Sequence, residues 1–435
     1  MLSLSLKQMY RGLTRVLCFF ILSATISVPP AEPQARERPW RRHTIDVTAQ
    51  GADGVRLADI NKDGLPDVVT AWAESGLVRV YLHPGPELAS EAWPSITVGR
   101  VPDAEDAVFA DLDGDGVLDV VSFCQGEHKT VYIHWAPSDI NRLLDESAWQ
   151  TRAVPASRGQ MLFMVGAIAD IDQRFGEDIL VGGKFEGARL GWFQRPVMPR
   201  IMQDWRWVPM RQVGWIMSIL SLDMDGDGDN DILYSDRAGP SSGVAWLENR
   251  GETRLYEPWP RHQIGAEGSV VMSLTVFDLD NDGLTDILTA VKDRRIMFHR
   301  RRAAHGLSWQ NYTLRIPEWA AEPRAIKAGD INLDGKVDLA MTSEEAGQGR
   351  SGVLWLSYQE HPADYEWRPH EVSGPTGQKY DLLELVDIDR DGDLDILTCE
   401  EGMGLGVVWY ENPTRSLPSP VPSSKSSPTS RRASN

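Results

Sequence analysis

Seven short acidic stretches recur along this chain, their first aspartates separated by 52, 59, 53, 55, 52 and 57 residues. Independent domains do not keep such a period. It marks one supersecondary unit copied seven times, each copy too small to bury its apolar face except against its neighbours. The fullest copy is Asp223-Met-Asp225-Gly-Asp227-Gly-Asp229-Asn-Asp231, followed at once by Ile232-Leu233. Carboxylates at positions 1, 3, 5 and 9 of a tight loop, with Gly at position 6 for the turn, set hard oxygen ligands around a sphere of calcium size.

The equivalent residues are Asp59, Asn61, Asp63 and Asp67 in the first unit, and Asp111, Asp113, Asp115 and Asp119 in the second. They are Asp278, Asp280, Asp282 and Asp286 in the fifth, Asp330, Asn332, Asp334 and Asp338 in the sixth, and Asp387, Asp389, Asp391 and Asp395 in the seventh. With Asp223, Asp225, Asp227 and Asp231 of the fourth they predict about six calcium sites. The third unit keeps Asp170, Asp172 and Asp178 but has Arg174 and Phe175 in place of the fifth-position carboxylate and the Gly. A cation there is expected to meet a positive side chain, so that loop is expected to be empty. An EF-hand is excluded: position 12 is Thr70, Ser122, Tyr234, Thr289, Met341 or Thr398 rather than Glu, and strand patterns flank the loops. Nothing in the loops suggests an open coordination position beside an acid or base, so the metals are expected to be structural.

The chain has 435 residues, 44 basic against 63 acidic, for a formal charge of −19. Much of that acid lies in the loops, and the balance argues against a nucleic-acid partner. Residues 1 to about 30 place Lys7, Arg11 and Arg15 before the apolar run Val16 to Val28, the pattern of a secretory signal rather than a span. A secreted or periplasmic location, where calcium is abundant, fits the loops. Of three cysteines, Cys18 falls in that leader, while Cys124 and Cys399 belong to non-adjacent units and are expected to be separate thiols. From Pro413 to Asn435 the chain turns to Ser and Pro and is expected to be a disordered tail.

Within each unit a Val/Ile/Leu-rich strand leads into the loop and a second leaves it. A third follows a Gly-rich turn, as in Gly352-Val-Leu-Trp-Leu356, and a fourth begins near a Trp, as in Trp259-Pro-Arg-His-Gln-Ile264. The array opens on a fourth-type strand near Trp40 to Val47 and ends on a third-type strand at Gly406 to Tyr410. A ring resolves the offset, because the first strand can complete the last sheet and leave no open edge. The predicted fold is an all-β, seven-bladed β-propeller of four-stranded blades over residues 40–412, closed by its N-terminal strand.

The D-x-D-x-D-G-x-x-D loop between two strands, repeated seven times, resembles the FG-GAP/VCBS repeat family, whose propellers include the head of integrin α subunits. The added Trp-x-x-His-x-Ile and Gly-Val-x-Trp-x-Glu-Asn elements (Trp246 to Asn249, Trp409 to Asn412) resemble secreted bacterial VCBS proteins and the propeller part of aldos-2-ulose dehydratase. The resemblance implies calcium in the Asp loops and a ligand face opposite them. On the connections of that face lie Glu105-Asp106, Arg158, Lys184, Trp215, Asp236-Arg237, Arg324, Glu344-Glu345, Lys379-Tyr380-Asp381 and Glu400-Glu401. The reading is a secreted calcium-binding module for a protein or glycan ligand, expected to be monomeric. The alternative is a carbohydrate-active lyase or dehydratase, although the accompanying cupin-type domains are lacking; no catalytic residue is assigned. Gly239-Pro-Ser-Ser-Gly243 joins two predicted strands and is not a nucleophile elbow. The basic run Lys292 to His305 is either an anionic-glycan contact or a solvated strand and turn.

Overall fold

The computed structural model describes residues 36–364 and 366–415; the expected signal segment, Cys18 and most of the expected tail lie outside them. Seven four-stranded antiparallel sheets account for all 28 strands, and the helical content is a few 3-10 turns. No helix among the described residues is long and apolar enough to cross a membrane. The innermost strands are Ala52–Ala58, Ala104–Ala110, Leu162–Ala169, Ile216–Leu222, Val271–Phe277, Glu322–Gly329 and Tyr380–Val386. Each touches the innermost strand of the next sheet, and the last touches the first, so the sheets stand as blades around an axis. The molecule is a seven-bladed β-propeller.

In blades 1 to 6 the four strands follow one another in sequence. In blade 7 the outermost strand is Arg41–Asp46, paired antiparallel with Gly406–Glu411 in the register His43 to Trp409 and Thr44 to Val408. The chain's two ends thus share one sheet, which leaves no blade a strand short. Apolar side chains fill the space between neighbouring blades; one cluster joins Val121 and Ile133 of blade 2 to Phe163 and Phe193 of blade 3.

The Trp and His motif elements have a packing role. The fourth-strand His lies opposite the third-strand Trp in three blades and stacks on it, with ring centroids 4.3 Å apart for His43–Trp409, 4.4 Å for His262–Trp246 and 3.7 Å for His370–Trp355. Each imidazole is also tied by hydrogen bond, His43 to Glu411 at 2.7 Å, His262 to Glu248 at 2.6 Å and His370 to Ser357 at 2.9 Å. The Trp that opens a fourth strand donates its indole N–H back into the preceding connection, as Trp93 does to Ala89, Trp149 to Leu143 and Trp259 to Leu255. In blade 3 this Trp is Trp205, donating to Pro199, and not Trp207, which the sequence pattern places at the start of the strand. Cys124 and Cys399 are buried, separate thiols.

Deleting residues 36–46 removes the outermost strand of blade 7 and exposes the edge of Gly406–Glu411. The truncated protein should melt several degrees below the full chain, at roughly 1 °C per kcal/mol lost for a domain of this size, and should self-associate in light scattering. Unchanged melting and a monodisperse species would contradict closure by this strand.

Candidate metal loops and channel face

The acidic loops join the first and second strands of every blade, so all seven lie at one end of the ring. Backbone geometry explains their shape. Position 6 is Gly in six loops, with φ from 80° at Gly64 to 97° at Gly392. Position 4 is left-handed in all seven loops: it is Gly114 or Gly226 in two, and Lys62, Gln173, Asn281, Leu333 or Arg390 in the other five, with φ between 55° and 61°. Two left-handed residues two apart curl the loop so that its side chains face a common centre. The first carboxylate accepts the amide of position 6 at 2.8 to 3.1 Å, and the fifth accepts that of position 7 at 2.8 to 3.2 Å.

Position 9 does different work. All seven of these aspartates are at most 1 % exposed. In six blades one oxygen accepts the amide of loop position 2 at 2.8 to 3.1 Å. In six the other oxygen accepts, at 2.7 to 2.8 Å, an amide at or just beyond the end of the third strand, such as Asn249 to Asp231 or Asn412 to Asp395. One buried carboxylate therefore ties the loop and two strands together. The Asn of the Glu-Asn motif extends the tie, because the Asn412 side chain donates to Ile331 of blade 6 and to Leu394.

The donor set fits a hard divalent cation. Carboxylate oxygens converge within 4.8 Å in Asp111/Asp113/Asp115, Asp223/Asp225/Asp227, Asp278/Asp280/Asp282 and Asp387/Asp389/Asp395. Buried carboxylate oxygens of Asp387, Asp391 and Asp393 in the last loop, and of Asp119 and Asp338 elsewhere, have no hydrogen-bond partner, while Asp280 is paired with Arg300. Like charge crowded into a partly desolvated site is costly, and a cation would relieve it. Loops 1 and 6 use Asn61 and Asn332, whose amides bond to Asp63 and Asp334. Burial, reinforced by the neighbouring acids, pushes the ninth-position carboxyls up to about 6 at Asp67, about 7 at Asp231, Asp286 and Asp338, and about 8 at Asp119, Asp178 and Asp395.

The third loop departs from expectation in one respect. Arg174 turns outward to pair with Glu252, so its charge does not enter the loop, and Asp170, Asp172 and Asp178 still converge. Phe175 takes the left-handed conformation of the missing Gly at φ 62° and leaves its ring 55 % exposed. What this loop lacks is the fifth-position oxygen, not the shape.

The opposite face is formed by the starts of the innermost strands, where charged groups pair from blade to blade. Arg56 holds Asp106 through two hydrogen bonds at 2.9 and 3.2 Å, Lys184 holds Glu105 at 3.0 Å, and Arg324 holds Asp381 at 2.9 and 3.2 Å. Asp53 hydrogen-bonds Asp381; burial drives the Asp53 carboxyl well above its usual range, while the Arg324 charge holds Asp381 well below. Asp53, Glu105, Asp106, Arg324 and Asp381, with Met164, Met217 and Met272, line a cavity of ≈ 20 Å³, and a larger recess of ≈ 290 Å³ follows the axis below it. The sequence already places Glu105, Asp106, Lys184, Arg324 and Asp381 on this face; Asp53 and Arg56, inside an otherwise apolar strand, are the members it does not announce. In the basic run, Lys292 pairs with Glu344, Arg294 donates to the carbonyls of Pro317 and Ala320, Arg300 binds Asp280 and Asp282, and Arg301 donates to Met224. Lys292 and these arginines are thus engaged, while Arg302, Ala304 and His305 in the turn that follows are exposed.

A seven-bladed ring with an acidic turn opening the second strand of each blade defines a repeat propeller. The FG-GAP-like repeat family matches residues 59–122 and 212–289, and the chain is an FG-GAP repeat propeller. A comparison with curated proteins finds no match. Among solved structures the chain resembles BBS1N in complex with ARL6DN, in a mercury-soaked crystal at 11% identity and in a lead-soaked one at 10%. The matches cover 86% and 87% of this chain and 99% and 98% of those, each with a TM-score of 0.49.

Asp395→Ala leaves two buried amides without acceptors, those of Ile388 and Asn412. It should cost about 2–5 kcal/mol in denaturant titrations with chelator present, at roughly 1–3 per unsatisfied group. Asp391→Asn, at the loop centre, should cost under about 1 kcal/mol under the same conditions. Equal losses would contradict the division between clamp and ligand positions.

Proposed function

We propose that the protein is an exported, calcium-stabilised propeller that binds a protein or glycan through the face opposite its metal loops. The observation that carries this reading is the division of labour between the two ends. One end spends its acid on loop geometry and has orphaned oxygens for cations, while the other presents a rigid set of charged and aromatic groups around a recess. The basic-then-apolar leader supports export, and the orphaned oxygens support calcium. Asp59, Asn61, Asp63, Asp111, Asp113, Asp115, Asp223, Asp225, Asp227, Asp278, Asp280, Asp282, Asp330, Asn332, Asp334, Asp387, Asp389 and Asp391 would hold the ions with the ninth-position aspartates, and the metal would supply structural cross-linking.

One observation favours the enzyme reading. Asp53 and Asp381 are neighbouring carboxyls driven apart in acidity, the arrangement an acid–base pair requires. The cavity of ≈ 20 Å³ beside them suits a water molecule, not a sugar ring, and this ranks catalysis second. A glycan array combined with a product assay on the bound sugars separates the two. Retention of intact ligand is expected, and β-elimination or dehydration products would reverse the ranking.

Calcium should raise the melting temperature. A site with Kd near 10 µM contributes about 2.7 kcal/mol at 1 mM free ion. The pH dependence has a definite sign. The ninth-position carboxyls are raised above the unfolded value, so in chelator they stabilise the fold at low pH, and that contribution is lost as pH rises through about 6 to 8. Calcium needs the ionised form, so its stabilising effect should grow over the same window. Scanning calorimetry from pH 5.5 to 8.5, roughly the span of these values, with calcium or with EDTA, checks both. A calcium effect that is absent, or that shrinks with rising pH, would contradict the assignment.

A further inference from the structure

Where blades 3 and 4 meet on the channel face, four side chains form a unit. The segment Gly214-Trp215 is strapped from both sides: Phe185 donates its amide to the Gly214 carbonyl at 3.0 Å, and Arg237 donates its amide to the Trp215 carbonyl at 2.7 Å. Buried Asp236 accepts the amides of Gly214, Trp215 and Ala238, fixing the turn. A side chain at Gly214 would meet the Ala238 carbonyl at 2.0 Å, so the close approach requires glycine. On this base the Arg237 guanidinium lies 4.3 Å from the centre of the Trp215 ring. Phe185 stands edge-on to that ring at 4.6 Å, in a left-handed conformation at φ 64°, with 53 % of its surface exposed. An exposed phenyl ring held in a strained backbone conformation is a feature that stability alone does not favour.

Arg237 differs from its neighbours on this face. Lys184, Lys292 and Arg324 each hold a carboxylate, whereas the half-buried guanidinium of Arg237 makes no hydrogen bond or ion pair among the described residues. The nearest charges it senses are Glu344 and Arg324, and burial lowers its affinity for a proton. A planar guanidinium already immobilised on an indole forms two parallel hydrogen bonds to a carboxylate at little further entropic loss.

We infer that Arg237, Trp215 and Phe185 form a binding site for a uronic-acid residue of an acidic glycan, the carboxylate on Arg237 and the apolar sugar face against Phe185. The inference rests on the reading of the channel face as a ligand face and names the chemistry of the ligand. A glycan is favoured over an acidic protein because the apolar surface beside Arg237 is one ring, matched to one sugar, where a stable protein interface buries roughly 800 Å² per partner. The surrounding Lys184, Glu105 and Glu344 suit hydroxyl groups as donors and acceptors.

The test is calorimetric titration of the full chain with trigalacturonate, with its methyl-esterified form and with a glutamate-rich peptide, using wild type, Arg237→Gln, Arg237→Lys and Phe185→Ala. Wild type should bind the acid trimer at least about tenfold more tightly than the ester, since one charged bidentate contact separates them. Arg237→Gln should lose about tenfold, Arg237→Lys should fall between, and Phe185→Ala should lose severalfold, all with the wild-type melting temperature. Equal binding of acid and ester, an unaffected Arg237→Gln, no binding of the trimer, or Arg237-dependent binding of the peptide alone would each overturn the site. A ligand that binds the channel face independently of Arg237 overturns this site and leaves the binding-module reading intact. Failure of every ligand to respond to any channel-face substitution sinks that reading itself.

Discussion

A single buried aspartate sets the shape of each blade. The strand that leaves the acidic loop begins with this residue; in five blades its two oxygens hold backbone amides from opposite directions, one in the loop before it and one at the end of the third strand, and in blades 2 and 6 one oxygen holds one of the two. Hydrogen bonds between a carboxylate and backbone amides are stronger than neutral ones, and here solvent is excluded from them. The tie, whole in five blades and half-made in two, recurs around the ring beside innermost strands that each touch the next. The interblade apolar clusters can then form without a helix or disulfide to brace them.

The two ends of the ring inherit different chemistry from this arrangement. At the loop end the first, third and fifth carboxylates turn inward because two left-handed residues curl the chain, and the acid that results is tolerable only when neutralised by a proton, an arginine such as Arg300, or a cation. At the other end the strands start close to the axis, and blade-to-blade pairs such as Arg56–Asp106 and Arg324–Asp381 lock them together. Buried pairs of this kind cost desolvation and fix register. Arg237 stands out against that background because its charge is balanced by no partner of its own.

Much of the fold was legible in the sequence. Period, strand count, loop positions and the junction of the two chain ends all follow from repeated residues that a ring must place equivalently. The roles within the loop were less so. Asp67 or Asp395 reads only as one more ligand, because spacing does not show that the same carboxylate also holds backbone amides. The second left-handed position was invisible, since Lys62, Leu333 and Arg390 share no side-chain chemistry. Arg174 was read as a charge inside the third loop because its partner, Glu252, lies in another blade. The channel network of Asp53, Arg56 and Arg324, and the exposed ring of Phe185, depend on contacts across the axis that no local pattern announces.

The central claim is that the ninth-position aspartates, not the cations, are the primary ties of the ring. Amide hydrogen exchange in the presence of chelator reads it directly, at the amides of Met224, Leu279 and Ile388 in the loops and of Asn249, Arg301 and Asn412 at the third-strand ends. The account predicts that these amides exchange as slowly as those within the innermost strands. Exchange at the rate of exposed loop amides, with protection appearing only when calcium is added, would contradict it.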